Sequence, residues 1–302
     1  MVHTTNFGDL PAEYSSLKTA KAVIIPVPYD ETSTWIKGAD KGPAAIIEAS
    51  ANMELYDIES DSEPYKIGIF TDKAVEEKSS PENMVEAVRK RVEGHIEKGK
   101  FTVVIGGEHS VSIGTIKAHI GKNPNVTVLQ LDAHSDLRDE YHGSKCNHAC
   151  VMARAREIAP IVQVGIRSMD VSEKASMSKS NVFFAEDIYA EGSNLKRSSF
   201  GTPTLRGQAK GWIPKVISKL GKKVYVTIDL DVFDPSIMPS TGTPEPGGLM
   251  WYDVLELMKA VFRKKEVVGF DVVELCPSDY NKAPNFLAAK LIYKLLSYKS
   301  AL

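Results

Sequence analysis

Cysteine is scarce in this chain, with three in 302 residues. So small and odd a number cannot staple a disulfide framework, and a reducing compartment is the expectation. Long hydrophobic runs are missing as well. No apolar stretch approaches the roughly 20 residues that a membrane span requires. The opening MVHTTNFGDLPAEY lacks the basic and apolar regions of a secretory leader. A cytosolic protein with no membrane partner is therefore expected. An excess of one charge is also absent. The 37 Lys and Arg stand against 39 Asp and Glu, a net charge of −2, which gives no electrostatic case for a nucleic-acid partner. No repeat, low-complexity tract or linker divides the chain. With 43% hydrophobic and 25% charged residues, the composition is that of an ordinary globular protein. Residues 1–302 are expected to form one domain.

What is present is an alternation of strands and helices. AVIIPV at 22–27, IGIF at 67–70, FTVVI at 101–105, VTVLQL at 126–131 and IVQVGI at 161–166 read as strands. So do VFF at 182–184, VYVTIDL at 224–230 and VVGFDVVEL at 267–275. Helices are expected over 43–57, where Pro43 suits a first turn, and from Pro81 to Ile96, with Gly99 as a stop. Two more are expected over 151–159 and 285–298. Strands apolar on both faces, separated by helices, indicate a parallel sheet covered on two sides. One stretch breaks the pattern. Residues 190–212, AEGSNLKRSSFGTPTLRGQAKGW, are polar, basic and aperiodic. They are expected to form a long surface loop at a cleft rim or a subunit contact, with Lys196, Arg197, Arg206 and Lys210 available to an anionic group.

Three polar clusters follow apolar runs. They are His109 in GGEHS, then Asp132, His134 and Asp136 in LDAHSD, then Asp229 and Asp231 in IDLDVFDP. Ligand crevices of open α/β sheets lie beyond the carboxyl ends of the strands. Three strand ends could therefore deliver six ligands to one point. Asp132, His134 and Asp136 recur with a period of two, which in a continued strand puts all three side chains on one face. Asp229 and Asp231 repeat the spacing. Taken singly, a DxD after a strand is more often a cap and a GG-x-H a plain turn; together they point to a metal centre. Four carboxylates in one crevice repel one another unless cations sit among them, and two divalent ions balance four negative charges. An oxygen-rich set without thiolate favours manganese over zinc. Cys146, His148 and Cys150 lack the second half that a zinc site needs. Asp234 is expected to order the turn after it, and Cys276 to be inert packing. His3, His95, His119 and His142 are expected at the surface.

GGEHS, DAHSDLRDEY, NHACVMARA, TIDLDVFDPSIMPSTGTPEPGGL and FDVVELCP, in this order, resemble the serial signatures of the ureohydrolase family, which includes arginase and agmatinase. The likeness extends from PYDETSTWIKGADKGPAAI at 28–46 to DVVEL at 271–275. It implies a three-layer α/β/α sandwich on a mainly parallel, eight-stranded sheet. It also implies two Mn2+ per subunit, hydrolysis of a guanidinium group to urea and an amine, and a homotrimer or homohexamer. By the same likeness His109 and Asp231 complete the shells of the two metals. Asp132, Asp136 and Asp229 bridge or bind them, and His134 serves the second. Asp136 counts as catalytic as well as metal-binding. Glu274 matches the carboxylate that pairs with the substrate guanidinium, and His148 the histidine that passes a proton to the leaving amine. Ser240 stands where the family commonly has glycine.

The ligands cannot choose among guanidino compounds, because all present the same group. The loop between Asp136 and His148 is expected to line the mouth, with Asp139 and Glu140 favouring a cationic tail and Arg138 and Lys145 a carboxylate. GGEHS and NHACVMARA resemble the agmatinase branch, so agmatine, yielding putrescine and urea, is the expected substrate. The alternatives are arginine, guanidinobutyrate and aminopropylagmatine. More remote readings are a zinc deacetylase and a silent binding protein of the same fold.

Overall fold

A computed structural model describes residues 6–193 and 211–301. Eight strands form one sheet: β1 (Ala22–Val27), β2 (Ile69–Thr71), β3 (Phe101–Gly106), β4 (Val126–Leu131), β5 (Ile161–Ile166), β6 (Val182–Phe184), β7 (Lys223–Asp229) and β8 (Glu266–Val273). The order is β2-β1-β3-β8-β7-β4-β5-β6, and every pairing is parallel. The helices are α1 (Gly42–Ser50), α2 (Pro81–Ile96), α3 (Val111–Lys122), α4 (Val151–Arg156), α5 (Ala185–Ser193), α6 (Trp212–Lys219), α7 (Trp251–Lys264) and α8 (Ala283–Ser300).

Alternate strand residues feed two cores. Ile24, Val103, Ile105, Leu129 and Val226 pack with Ile46 of α1, Trp212 of α6, and the apolar faces of α7 and α8. Val23, Ile25, Val104, Val128 and Tyr225 pack on the other side, with Val85 and Val88 of α2, Ile113 and Ile116 of α3, and Met152 of α4. This is the three-layer α/β/α sandwich that the resemblance implied. No helix among the described residues is long and apolar enough to cross a membrane.

Several expectations need adjustment. The first helix stops at Ser50 rather than 57. The segment beyond it is held by tertiary bonds instead: Asp57 pairs with the buried Lys294 at 2.9 Å and accepts the Ser60 N–H. α4 ends at Arg156 rather than 159, because the residue before Pro160 is disfavoured in helix. α3 has no counterpart in the periodicity reading. It is buried on nearly every side, so it carries no polar stripe. Its Gly114 lets α2 come so close that a Cβ there would press on the Val85 carbonyl at 2.5 Å. The helices α5, α6 and α7 likewise have no counterpart among the expected elements. Residues 190–193 belong to α5, and Trp212 opens α6. The rest of the expected loop, with Lys196, Arg197, Arg206 and Lys210, lies outside the described residues.

His95 and His119 are buried rather than exposed, because each has a polar partner. His95 Nε2 lies 2.7 Å from Asp72 Oδ2. His119 Nε2 lies 2.9 Å from Thr102 Oγ1, and its ring rests on Tyr225. Burial depresses the His119 pKa to about 3. The unfolded chain takes up this proton near pH 6.5, whereas the folded chain does not. His119 therefore costs stability as pH falls from about 6.5 towards 3. His119→Asn is expected to flatten the slope of stability against pH in this window by up to about 1.4 kcal/mol per pH unit. Urea unfolding across the window measures it, and an unchanged slope would refute the assignment.

Candidate metal centre and active site

Four neighbouring central strands, β3, β8, β7 and β4, end on one crevice. Each delivers polar side chains just past its last hydrogen-bonded residues. His109 follows β3, Glu274 follows β8, Asp229 closes β7 with Asp231 after it, and Asp132, His134 and Asp136 follow β4.

The local backbone does this by turning rather than by continued pleating. β4 stops at Leu131, and Asp136 adopts a left-handed φ of 52°. Convergence of the Asp132 cluster therefore comes from loop geometry, not from the strand alternation expected of it. Asp132 Oδ1 accepts the His134 N–H at 2.6 Å, and Asp229 Oδ1 accepts the Asp231 N–H at 2.8 Å. These tight turns fold each DxD or DxH pair back on itself. Glu274 is left-handed too, with φ 67°. Its N–H donates to the Gly107 carbonyl at 2.7 Å, and its Oε1 accepts the His109 N–H at 2.7 Å. Unusual backbone of this kind costs on the order of 1–3 kcal/mol per residue and persists where surrounding bonds over-determine it.

The six expected ligands come together. His109 Nδ1 lies 3.1 Å from Asp132 Oδ2, 3.0 Å from Asp136 Oδ2 and 3.4 Å from Asp229 Oδ2. His134 Nδ1 lies 2.8 Å from Asp231 Oδ2 and 3.7 Å from Asp132 Oδ1. Two triads have ligand atoms close enough to share an ion: His109, Asp132 and Asp229, and Asp132, His134 and Asp231. Asp132 is common to both, and Asp136 adjoins the first.

This donor set fits divalent cations. His109 Nδ1 is buried and has no hydrogen-bond partner, although three carboxylates surround it. Its other nitrogen, Nε2, sits 2.9 Å from Thr227 Oγ1, whose own proton goes to the buried Asp271 at 2.7 Å. Nε2 therefore carries a hydrogen, and against the effect of burial Asp132, Asp136 and Asp229 push the His109 pKa well above its usual value; a cation among these carboxylates would take the Nδ1 lone pair instead. The pKa pattern also registers a shortage of positive charge. Burial, then Asp132, pushes Asp136 up to about 7. Burial, then Asp231 and Asp132, pushes Asp229 well above the usual carboxylate range. His134 is driven up to about 12 against the effect of burial, by Asp231 and Asp132.

The cavity above this cluster has a volume of about 290 Å3. His109, His134, Asp136, Asp229, Asp231, Glu274 and His148 all line it, while Asp132 is fully enclosed behind them. All eight expected site residues are thus assembled. Burial, then Glu108, raises the Glu274 pKa well above its ordinary value. His148 is pushed down to about 4 by burial, then by His109 and His134, so its imidazole is neutral near pH 7.

The mouth differs from expectation. Of the four charges in the 137–147 loop, Arg138 alone lines the cavity. Asp139 turns to Arg154 at 2.6 Å and Lys145 at 3.2 Å. Arg138 sits over the Tyr141 ring at 4.7 Å and 3.4 Å from Asp170. The other walls are Ser33 to Ile36, Ser168 to Asp170, and Thr243; the first and last lie within stretches that resemble the family but were assigned no place in the cavity, and Ser168 to Asp170 lie in none. Arg167, also unforeseen, donates to the carbonyls of Asp231 and Glu245 at 2.6 and 2.8 Å, tying the metal loop to the 242–248 turn. Asp234 orders the turn after it as expected, accepting the Ser236 N–H, and it also accepts the Gly247 and Gly248 N–H groups of the 242–248 turn. Cys146 and Cys150 are free and buried, and neither belongs to a metal-holding group among the described residues.

Gly107 marks where the β3 turn approaches the 28–30 segment. A Cβ there would overlap the Tyr29 carbonyl. Gly107→Ala is expected to cost about 3 kcal/mol or more and to displace both His109 and Glu274. Chemical denaturation together with metal binding checks it, and a variant of wild-type stability would refute the close approach.

The sequence model of the Arginase family matches residues 20–297. The N(1)-aminopropylagmatine ureohydrolase of Synechocystis sp. is 37% identical over 94% of this chain and 90% of its own length. The agmatinase of Pyrococcus horikoshii is 32% identical over 98% of each. Among solved structures, the agmatine ureohydrolase of Thermoplasma volcanium superposes with a TM-score of 0.82 at 31% identity, covering 96% of this chain and 94% of that one.

Proposed function

This chain belongs to the arginase family, and from that premise we propose that it hydrolyses the guanidinium of an agmatine-type compound to urea and an amine. N1-aminopropylagmatine is the preferred substrate. The preference rests on the 37% identity to relatives of that name. Agmatine is the second reading, supported by the agmatinase and agmatine ureohydrolase likenesses at 32% and 31%.

The observation that carries the chemistry is the placement of Glu274 beside two ligand triads in one cavity. His109, Asp132, Asp136 and Asp229 would hold one divalent cation, and Asp132, His134 and Asp231 a second. The hard, thiolate-free set supports Mn2+. When bound, such a pair supplies hydroxide at neutral pH by lowering the pKa of water. The residues do the rest. Glu274 is disfavoured as a lone buried anion, so a planar cation entering the cavity is its natural counter-charge. One of its oxygens is already pinned by the His109 N–H, which fixes where the guanidinium carbon sits relative to the triads. His148, neutral and on the cavity wall, takes up a proton within the site and returns it to the departing amine nitrogen. Beyond the guanidinium, exposed Trp35 and the ring of Tyr141 offer flat faces to an extended polyamine tail. Arg138 is partly neutralised by Asp170, which lessens its repulsion of that tail. A homotrimer or homohexamer is proposed on the family likeness alone, and a light-scattering mass tests it.

Urea release with Mn2+ over a panel of aminopropylagmatine, agmatine, arginine and guanidinobutyrate tests the function. The largest kcat/KM is expected for aminopropylagmatine. Higher turnover of arginine would overturn the substrate reading, and no urea from any compound would overturn the activity. Glu274→Gln should lower kcat/KM at least about a hundredfold without changing metal content. Metal stoichiometry separates the ligands. Asp132→Asn, which weakens both triads, is expected to retain fewer than one ion per chain, whereas Asp231→Asn retains about one. Equal losses in the two variants would argue against a shared Asp132.

A further inference from the structure

Glu108 and Thr32 take no part in the proposed chemistry, yet they form a densely hydrogen-bonded polar group beside His148. Glu108 is fully buried. The Thr32 N–H donates to its Oε2 at 2.7 Å and the Thr32 hydroxyl to its Oε1 at 2.6 Å. The hydroxyls of Ser110 and Ser33 also donate to it. The main-chain N–H can only donate, so Oε2 is an acceptor; burial raises the Glu108 pKa, and the Ser110 and Thr32 donors act against that rise, with the Thr32 hydroxyl directed at Oε1. The single proton of Thr32 Oγ1 is therefore committed to Glu108. That leaves two lone pairs on the oxygen, and both face His148. The His148 N–H donates to Thr32 Oγ1 at 3.1 Å, and His148 Nδ1 lies 3.1 Å from the same atom. A contact between Nδ1 and an oxygen that has no proton left to give requires the hydrogen on Nδ1.

We propose that Thr32, polarised by Glu108, is a positioning residue for the hydrolysis: it holds the His148 ring in place and fixes the tautomer that leaves the Nε2 lone pair for the proton passed to the leaving amine. This rests on the ureohydrolase reading above. The geometry gives the role its direction. If Thr32 instead donated to His148, Nδ1 would hold the lone pair and Nε2–H could not accept a proton. A carboxylate enclosed by four donors prevents that reversal. A second main-chain bond from His148 to the same oxygen keeps the ring from swinging away. Thr32 touches neither ligand triad, and its direct contact with the proposed chemistry is through His148; metal content and KM report any effect passed instead through Glu108 to the neighbouring His109 and to Glu274.

The test compares Thr32→Val, which keeps shape but removes the hydroxyl, with Thr32→Ser, which keeps the hydroxyl, in the Mn2+-loaded enzyme. Thr32→Val should lower kcat about a hundredfold, within the range a general acid–base supplies, with KM and metal content unchanged. Thr32→Ser should stay within about threefold of wild type. In a His148→Ala background, adding Thr32→Val should change nothing further, because residues acting through one group are non-additive. A structural role would lower the double variant again. Wild-type kcat in Thr32→Val, an effect that adds to His148→Ala, or a fall in metal content would each overturn the proposal. Thr32→Ala serves as the second variant, and failure of both Val and Ala forms to fold would assign Thr32 to structure and overturn it too. Absence of urea from wild type on every guanidino compound would sink the parent reading instead, whereas an active wild type with an indifferent Thr32→Val would sink this one alone.

Discussion

Mutual repulsion among the carboxylates at the ends of β4 and β7 is the constraint on which the rest of the structure turns. Asp132, Asp136, Asp229 and Asp231 crowd around two imidazoles in a buried crevice. Two like charges about 4 Å apart repel by about 4 kcal/mol at an effective dielectric of about 20. Side chains free to choose would turn outward to water. Three of the four are held in because their carboxylates also accept main-chain N–H groups. Asp132 caps His134, Asp229 caps Asp231, and Asp231 Oδ1 takes the Ala133 N–H at 3.0 Å. That last bond joins the β4 and β7 loops directly. The ligand cluster is thus held by main-chain bonds, at the expense of left-handed backbone at Asp136 and Glu274.

The same device fixes two histidines with different tasks. In both, a buried carboxylate takes the proton of a threonine hydroxyl, and the threonine in turn faces an imidazole. Asp271–Thr227–His109 runs beneath the crevice, and Tyr225 and Thr115 also donate to Asp271. Glu108–Thr32–His148 runs beside it. In the first chain the hydrogen is placed on Nε2 and Nδ1 faces the carboxylates. In the second the hydrogen is placed on Nδ1 and Nε2 is left for the cavity. The hydroxyl between carboxylate and ring keeps each imidazole from pairing directly with Asp271 or Glu108, so that neither of these anions adds to the charge the ring already faces. A neutral ring is what a metal ligand and an acceptor of protons both require.

Legibility in the sequence followed from how each feature departs from its surroundings. The ligand clusters stood out because polar residues interrupt apolar strands at their ends, where a parallel sheet exposes its crevice. The parallel sheet itself was readable from strands apolar on both faces. What failed was local geometry. A period of two at 132–136 suggested pleated alternation, but the chain leaves the strand at Leu131, and Asp136 reaches the site through a left-handed turn. α3 was invisible because a helix enclosed on nearly all sides has no amphipathic signal. His119 was misplaced because its partners, Thr102 and Tyr225, are distant in sequence. Thr32 escaped for the same reason: its bonds to Glu108 span 76 residues and those to His148 span 116.

Substrate choice follows a different physical rule from catalysis, and this explains why it resists sequence reading. The reaction centre is specified by residues that must be ionisable and must be adjacent to strand ends. The mouth is specified by surfaces that four separate loops bring together, after β1, β4, β5 and β7. Charge alone misleads there. Asp139 and Lys145 looked like selectors of the substrate's far end but satisfy each other and Arg154. Arg138, which does face the cavity, is balanced by Asp170 and Tyr141. With those charges partly cancelled, the proposed discrimination between short and long polyamine tails would rest on the contact area that Trp35, Tyr141 and Met169 present along the cavity wall. Apolar contact grows with the length of the tail at about 0.8 kcal/mol per buried CH2. On the proposed reading, a mouth of this kind would rank substrates by reach and not by the charge of a single end group.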